Sequence, residues 1–535
     1  MQIVYAPKSN AFVYRGFLNG DEMKLAASCP QARQLPSGEV VIPNDHLLLQ
    51  KLARHNIPVG MPMIDYDWPS NKTTIPRPTF AQRAMSNFLL LHPRSFNLSE
   101  MRTGKTNGAL WAADYIMRKA ENKGETCKCL IVCQLSTTVR TWRDAVDEHL
   151  IGRRTCTVLT GPAERRLRHL GDNCDFYIVN YEGLAVGAGT SKSALELGGF
   201  SKAISERDDI QIVVIDESSA YRHPKTIRSR VARLMFPEKK YLWLLTGTPT
   251  PTAPTDAYGQ AKILNNARGE SYTSFKNRTM MQVSRFTWRP KREAARIVAE
   301  LLQPAIRFKQ SDCFDAPQCV TMKRDCEMSA EQARLWREMK RQLTLTLRDK
   351  DISAVNEAAL RLKLLQIVTG AIYDDEHGAH YVDASPRFSV LQEIIEEAPK
   401  KIIVFAPFTS VLDAITLYLT RLKQSHVLVD GRVTGNARDE RLREFMAEDG
   451  PRILVAHPGP VARGLDLTSA ATVVWFGPTD HNEDYMQACE RINGPRQKNM
   501  MTIVEIAATG LEREIYTRLR EGRTLQGSIL KLLEE

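Results

Sequence analysis

Two short stretches combine residue types that handle phosphate. Ser99-Glu100-Met101-Arg102-Thr103-Gly104-Lys105-Thr106 has the spacing of a phosphate-binding loop, with Ser99 in place of the leading glycine, and it runs into an expected helix, Gly108 to Lys119. Successive backbone N–H groups in such a loop, backed by the helix N-terminus, cradle phosphate oxygens. Lys105 would then reach the β- and γ-phosphates and Thr106 would hold magnesium, with Arg102, Thr103 and Gly104 beside the nucleotide. Gly-Lys-Thr alone also fits a surface turn, so the reading needs an acidic partner at the end of a strand. Ile212-Val213-Val214-Ile215-Asp216-Glu217 supplies one. Strand C-termini are where ligands bind in open α/β sheets. Asp216 would complete the magnesium shell, and Glu217 would orient and deprotonate the attacking water, because phosphoryl transfer rests on positioning and charge neutralisation.

Short apolar runs must position these groups. Leu130-Ile131-Val132, Tyr177-Ile178-Val179, Ile212 to Ile215 and Leu242 to Leu245 have the pattern of buried parallel strands separated by helices or loops. A second series follows: Ile402 to Phe405, Val427 to Val429, Ile453 to Val455, Val473 to Phe476 and Ile503 to Ile506. The pattern predicts an α/β chain with two parallel-sheet lobes. Its expected units are a small N-terminal accessory domain at 1–75, a first lobe at 76–264, a helical basic inter-lobe region at 265–385 and a second lobe at 386–535. Helical periodicity around Leu335, Met339 and Leu343, and again at Leu360, Leu364 and Ile367, supports the third unit.

The 535 residues, 43% hydrophobic and 25% charged, contain no apolar run near the roughly 20 residues that a membrane-spanning helix needs. The N-terminus lacks a secretion signal, so a cytoplasmic protein without a membrane partner is expected. Ten cysteines without a CxxC pair read as reduced core thiols. The net charge of +11 favours a polyanionic partner, and residues 268–350, with 18 Lys+Arg against 10 Asp+Glu, carry +8 of it. Within them, Ser271 to Arg292 holds six Lys or Arg, no acid, and Phe275, Phe286 and Trp288 interleaved. Lys276, Arg278 and Arg285 are therefore candidate nucleic-acid contacts, with a solvated helical face as the alternative.

Taken in order, these segments and those between them resemble the Swi/Snf-type branch of superfamily 2 helicases and translocases, from Pro78 to Arg523. Gln82 corresponds to the glutamine that reads adenine in that family. Leu130 to Ser136, with Trp142 beyond, is similar to motif Ia and Asn180-Tyr181-Glu182 to motif Ib, which places Ser136 and Asn180 at the nucleic-acid backbone. Asp216-Glu217-Ser218-Ser219 stands at motif II, with Ser219 for the usual His. Thr246-Gly247-Thr248-Pro249 stands at motif III, which couples hydrolysis to movement. Phe405 to Thr409 is similar to motif IV, with Thr409 at the nucleic acid, and Arg463 to Leu467 to motif V, with Gly464 and Asp466 at the nucleotide. Gln487-Ala488-Cys489-Glu490-Arg491 begins motif VI.

The resemblance implies two RecA-like lobes with ATP and Mg2+ in the cleft, and a DNA-dependent ATPase acting as a translocase or helicase on DNA, duplex or branched. The lack of an accessory chromatin-reading region fits a viral or bacterial member. Family motif VI carries a second arginine that serves as a finger on the γ-phosphate, and Gly494 stands at that position here. Arg491 and Arg496 are the candidate fingers, the turn at Gly494-Pro495 offering a way to bring Arg496 into place. Phe12 to Phe17, Cys29 to Arg33 and Val40 to Pro43 are similar to the HARP-type modules of annealing helicases. With 7 Lys+Arg against 6 Asp+Glu over residues 1–75, a plain capping domain is the alternative. Two other functions are weighed. An RNA helicase of the DEAD type would read Asp-Glu-Ala-Asp at motif II, and a DNA-packaging ATPase would carry a nuclease-type acidic cluster where residues 386–535 carry motifs IV to VI.

Overall fold

The computed structural model describes residues 2–6, 9, 11–15, 32–44, 49, 64–69, 78–135, 138–150, 152–186, 196–283, 288–315, 317–348, 354–373, 378–433, 435–461, 467–494 and 497–531. Of the candidate site residues, Ser136, Arg285, Gly464, Asp466 and Arg496 lie outside the described residues.

Strands β1 (Gln2–Ala6), β2 (Ala11–Arg15), β3 (Arg33–Gln34) and β4 (Val40–Pro43) form an antiparallel sheet in the order β1-β2-β4-β3. Residues 64–69 then strap onto the first lobe. Tyr66 is buried in its core, and the Tyr66 hydroxyl donates to Asp114 Oδ2 at 2.6 Å. Asp114 is itself fully buried and also accepts from Arg153 and Arg154, so the carboxylate is paired as well as desolvated.

The first lobe is built on α1 (Phe80–Leu91), β5 (Arg94–Asn97), α2 (Lys105–Glu121), β6 (Lys128–Cys133), β7 (Cys156–Val158), β8 (Phe176–Asn180), β9 (Ile210–Ile215) and β10 (Tyr241–Leu245). Side chains alternate across a strand, and here both faces are covered. Leu130, Val132, Val213, Ile215, Leu242 and Leu244 enter one core. Ile131, Cys133, Ile212, Val214, Tyr241 and Trp243 from the same strands enter the other. That is why the sequence shows continuous apolar runs. Cys127, Cys129 and Cys133 are free, buried thiols.

Beyond 265 the chain is less purely helical than its periodicity predicts. After α3 (Tyr272–Thr279), β11 (Met280–Gln282) and β12 (Trp288–Pro290) pair as a small antiparallel ladder. Strand β13 (Ala305–Ile306) pairs with β5 at one edge of the first sheet, giving the order β13-β5-β10-β9-β6-β8-β7, all parallel. Next, β14 (Cys319–Asp325) joins an edge of the second sheet. The chain thus passes from one sheet to the other within residues 307–318. The expected helices follow as α4 (Ala330–Arg348) and α5 (Ala354–Thr369), then the short pair β15 (Ala371–Tyr373) and β16 (Ala379–Tyr381).

The second lobe contains β17 (Lys401–Phe405), α6 (Thr409–Arg421), β18 (His426–Val429), β19 (Ile453–Ala456), β20 (Ala470–Trp475), α7 (Asn482–Cys489), β21 (Met501–Ala507) and α8 (Gly510–Lys531). Its parallel sheet runs β14-β21-β20-β17-β19-β18. The same division by parity recurs, with Ile403, Phe405 and Leu454 on one face and Ile402, Val404 and Ile453 on the other. Among the described residues no helix is long and apolar enough to cross a membrane.

Candidate active site between the lobes

Three neighbouring parallel strands, β5, β10 and β9, end at one level. Asn97 pairs with Leu245, and Leu244 with Ile215. The phosphate loop after β5, Thr246 after β10 and Asp216 after β9 therefore emerge side by side, in the crevice at the carboxyl ends of the strands. Thr246 N donates to Asn97 O at 3.0 Å, and Gly247 packs against the backbone of Ser99 and Met101.

Gly104 caps α2 with φ +88, a left-handed conformation that glycine adopts without steric cost. The side chain of Gln82 lies against it, where a Cβ would otherwise project. Gln82 also closes the capping box of α1, its Oε1 accepting from Thr79 N at 2.9 Å. Thr103 Oγ1 donates to Glu100 O at 2.8 Å, and Thr106 stands half-buried in the first turn of α2. Lys105 Nζ donates to Ser99 O (2.8 Å) and Glu100 O (2.9 Å), so the ammonium is held inside its own loop. Burial pushes the Lys105 ammonium below its ordinary value, and the charges of Glu217, Asp216 and Glu100 oppose that shift.

At the end of β9, burial pushes the Asp216 carboxyl above the usual carboxylate range. The indole N–H of Trp142, the charge of Lys105 and the amide of Glu217 work in the opposite direction. Trp142 Nε1 donates to Asp216 Oδ2 at 2.9 Å, and Glu217 N donates to Oδ1 at 3.0 Å. Tyr181 hydrogen-bonds from its hydroxyl to Asp216 O at 2.6 Å. In the sequence, Trp142 and Tyr181 stand beside or within the segments similar to motifs Ia and Ib, with nothing local that points to Asp216. A bond spanning 74 residues leaves no trace in local pattern. Glu217, at φ +44, accepts from Thr246 Oγ1 at 3.3 Å, and Thr246 Oγ1 in turn accepts from Thr248 N at 3.0 Å. The acidic strand end is thereby tied to the Thr246–Thr248 segment by one hydroxyl.

The second lobe reaches both groups. Ser219 Oγ donates to Glu483 Oε1 at 2.9 Å, and Arg222 pairs with Glu483 Oε2 at 3.1 Å. Arg491 is buried, its guanidinium 4.0 Å from Met101 Sδ in the phosphate loop. A cavity of about 970 Å³ also opens between the lobes, with Glu217 on one wall and Asp480, Glu483 and Asp484 on the other. Lys105 is not in its lining, which also carries Arg222, Arg228 and Arg518.

The candidate nucleic-acid residues are scattered. Asn180 is buried, its Oδ1 3.4 Å from Arg166 Nη1 and its Nδ2 donating to Glu182 Oε2 at 3.3 Å. Thr409 starts α6, half-buried. On α3, Lys276 Nζ lies 3.7 Å from the centroid of the Trp288 ring, and Arg278 pairs with Glu270 at 3.0 Å. Phe275 corrects the interleaved-aromatic reading. It is fully buried in the first-lobe core, so it is packing material with no face to offer a base.

A phosphate loop, an acidic strand end beside it and a second parallel-sheet lobe carrying a buried arginine to the loop define a two-lobed nucleoside-triphosphate hydrolase. Residues 98–370 match the model of the SNF2-related domain, and residues 386–493 match that of the helicase conserved C-terminal domain. The chain belongs to the SNF2-related family and is an ATP-hydrolysing enzyme. It is 24% identical over 489 residues to putative protein p41 of Acyrthosiphon pisum secondary endosymbiont phage 1, covering 86% of this chain and 99% of that one. It is 22% identical over 439 residues to the chromodomain-helicase-DNA-binding protein 1-like of Mus musculus, covering 78% of this chain but only 46% of that one. Among solved structures, the Sulfolobus solfataricus SWI2/SNF2 ATPase core in complex with dsDNA aligns at a TM-score of 0.40 and 20% identity, over 87% of this chain and 94% of that one.

Glu217→Gln keeps the shape and the acceptor for Thr246 while removing the candidate base. We expect nucleotide binding to persist and turnover to fall roughly 10²- to 10⁴-fold. A variant that no longer binds nucleotide would assign Glu217 a structural role instead.

Proposed function

We propose that this ATPase uses Mg2+-ATP hydrolysis to drive movement along DNA, duplex or branched, by closing and opening its two lobes. The observation that carries the reading is the double contact across the cleft. Arg491 lies on the phosphate loop, and Glu483 is bonded to Ser219 beside the Asp216-Glu217 pair. A change at the phosphates is thus felt by both lobes, which is what a ratchet requires. The mouse relative's name joins helicase and DNA binding, and this chain spans about half of that protein's length.

Thr106 and Asp216 are the residues proposed to hold the magnesium ion, which neutralises charge on the phosphate oxygens when bound. The donor set fits. Asp216 keeps its carboxylate at the strand end, oriented by Trp142 and by the amide of Glu217, while Thr106 sits one residue beyond Lys105. Gln82, Thr103 and Gly104, with the backbone of Arg102 and with Gly464 and Asp466, are proposed to surround the nucleotide.

Displacement of a triplex-forming strand from duplex DNA tests the proposal. A translocase strips the third strand in an ATP-dependent way without separating the duplex. ATP hydrolysis with no displacement would remove the movement from the reading. The basic stretch from Ser271 to Arg292 is proposed as a DNA contact, with phosphate competing against Glu270 for Arg278. Neutralising Lys276, Arg278 and Arg285 together is expected to weaken DNA binding and flatten its salt dependence, by roughly one unit of log–log slope per lost phosphate contact. An unchanged slope would assign the stretch to solvent.

A further inference from the structure

The position where family motif VI carries its second arginine is not empty space in this molecule. The guanidinium of Arg102, from the phosphate loop of the opposite lobe, fills it. Arg102 Nη2 donates to Arg491 O at 2.6 Å, and Nη1 donates to Asn493 O. A Cβ built on Gly494 would run into Arg102 Nη1, and would lie 3.1 Å from Arg102 Cζ and 3.0 Å from Thr468 Cγ2. Gly494 is buried, so the room is enclosed. Arg102 reaches across from a left-handed backbone, φ +63, a conformation uncommon for a residue with a side chain. A second tie runs parallel to it. Asn493 Nδ2 donates to Gln310 Oε1, and Gln310 Nε2 donates to Met101 O at 3.0 Å.

We propose that Arg102 and Gly494 are a matched pair. The phosphate-loop arginine takes the room that any side chain at 494 would need, and it holds residues 491–494 of the second lobe against the loop. Arg102 is a positioning residue, and it acts through Arg491, whose carbonyl it grips and whose guanidinium lies against Met101. Two carbonyl acceptors fit the fork of one guanidinium, which a lysine ammonium cannot match at both points. Loop and motif VI segment then move as a unit when the cleft closes. The inference rests on the ATPase reading of the cleft.

The test is a double-mutant cycle in the full chain: Arg102→Ala, Gly494→Ala and the two together, with kcat and KM for ATP measured in DNA-stimulated turnover. The φ of Gly494 lies outside the left-handed region, so the backbone accepts alanine. The group that must move is the far end of a long side chain, so Gly494→Ala should fold and shed only the Arg102 contacts. Misplacing a reacting group by about 1 Å costs on the order of 100-fold, so we expect each single variant to lose about 10- to 100-fold in kcat with KM changed far less. The double variant should be no worse than the weaker single, because both remove the same interaction. Melting temperatures separate this from a packing role, since a packing defect at 494 would lower stability equally with or without Arg102. Arg102→Lys should fail to restore the rate. Losses that multiply in the double variant, or Gly494→Ala within twofold of wild type, would overturn the pairing. An inactive wild-type chain would instead mark the failure of the ATPase reading.

Discussion

Lys105→Ala is expected to bring ATP turnover down to background, with or without DNA, while DNA binding persists. Lys105 is the one cation placed by the phosphate-loop spacing at the head of α2, and its ammonium is already desolvated and held by Ser99 O and Glu100 O. A nucleotide's phosphates offer it stronger acceptors than two carbonyls, since hydrogen bonds between charged partners are roughly twice as strong as neutral ones. Lys105 is also buried, so its loss is more than a surface change. Ser99 O loses this donor while Glu100 O keeps Thr103 Oγ1, and leaving a buried group unsatisfied costs about 1–3 kcal/mol. The variant should melt at a somewhat lower temperature yet keep a cooperative transition, because the sheet beneath the loop is untouched. Thermal melting alongside turnover separates the two effects. Turnover near wild type in a folded variant would remove Lys105 from the site.

The second large effect concerns charge delivered from the opposite lobe. Arg491→Ala is expected to reduce DNA-stimulated turnover by roughly 10³-fold or more, within the range that an arginine finger supplies in phosphate-loop enzymes, while nucleotide and DNA still bind. Arg491 is buried against the phosphate loop, and its carbonyl is fixed by both Arg102 and Leu467 N. Arg496, outside the described residues, is the other candidate finger. Arg496→Ala turning over within a few-fold of wild type would leave the task to Arg491, held by Arg102. Arg491→Ala turning over within a few-fold would discard the finger altogether.

The parts of the site that were legible in the sequence are those whose chemistry is contiguous. Lys105 with Thr106, Asp216 with Glu217 and Thr246 with Gly247 each announce themselves in a few residues, and the nine apolar runs all became strands. What stayed hidden depends on partners far along the chain. Strand β5, Arg-Ser-Phe-Asn, has no apolar run, yet it is an inner strand carrying the phosphate loop. Part of its anchorage is Arg94, whose guanidinium donates to Leu264 O at 2.9 Å and Lys239 O at 3.1 Å. Strands β13 and β14 are short or largely exposed edge strands inside a stretch dominated by helical periodicity. Phe275 misled because an aromatic between basic residues has the same local pattern whether it stacks on a base or packs into a core. Loop spacing places Arg102 beside the nucleotide, and only the fold brings its guanidinium to Gly494.

The most direct test of the central claim is ATP turnover measured against single-stranded, duplex, forked and four-way DNA, with RNA as the comparison. Turnover is expected to be stimulated by the DNAs that contain a duplex and left near its basal rate by RNA. Stimulation by RNA equal to that by duplex DNA, or turnover indifferent to every nucleic acid, would contradict it.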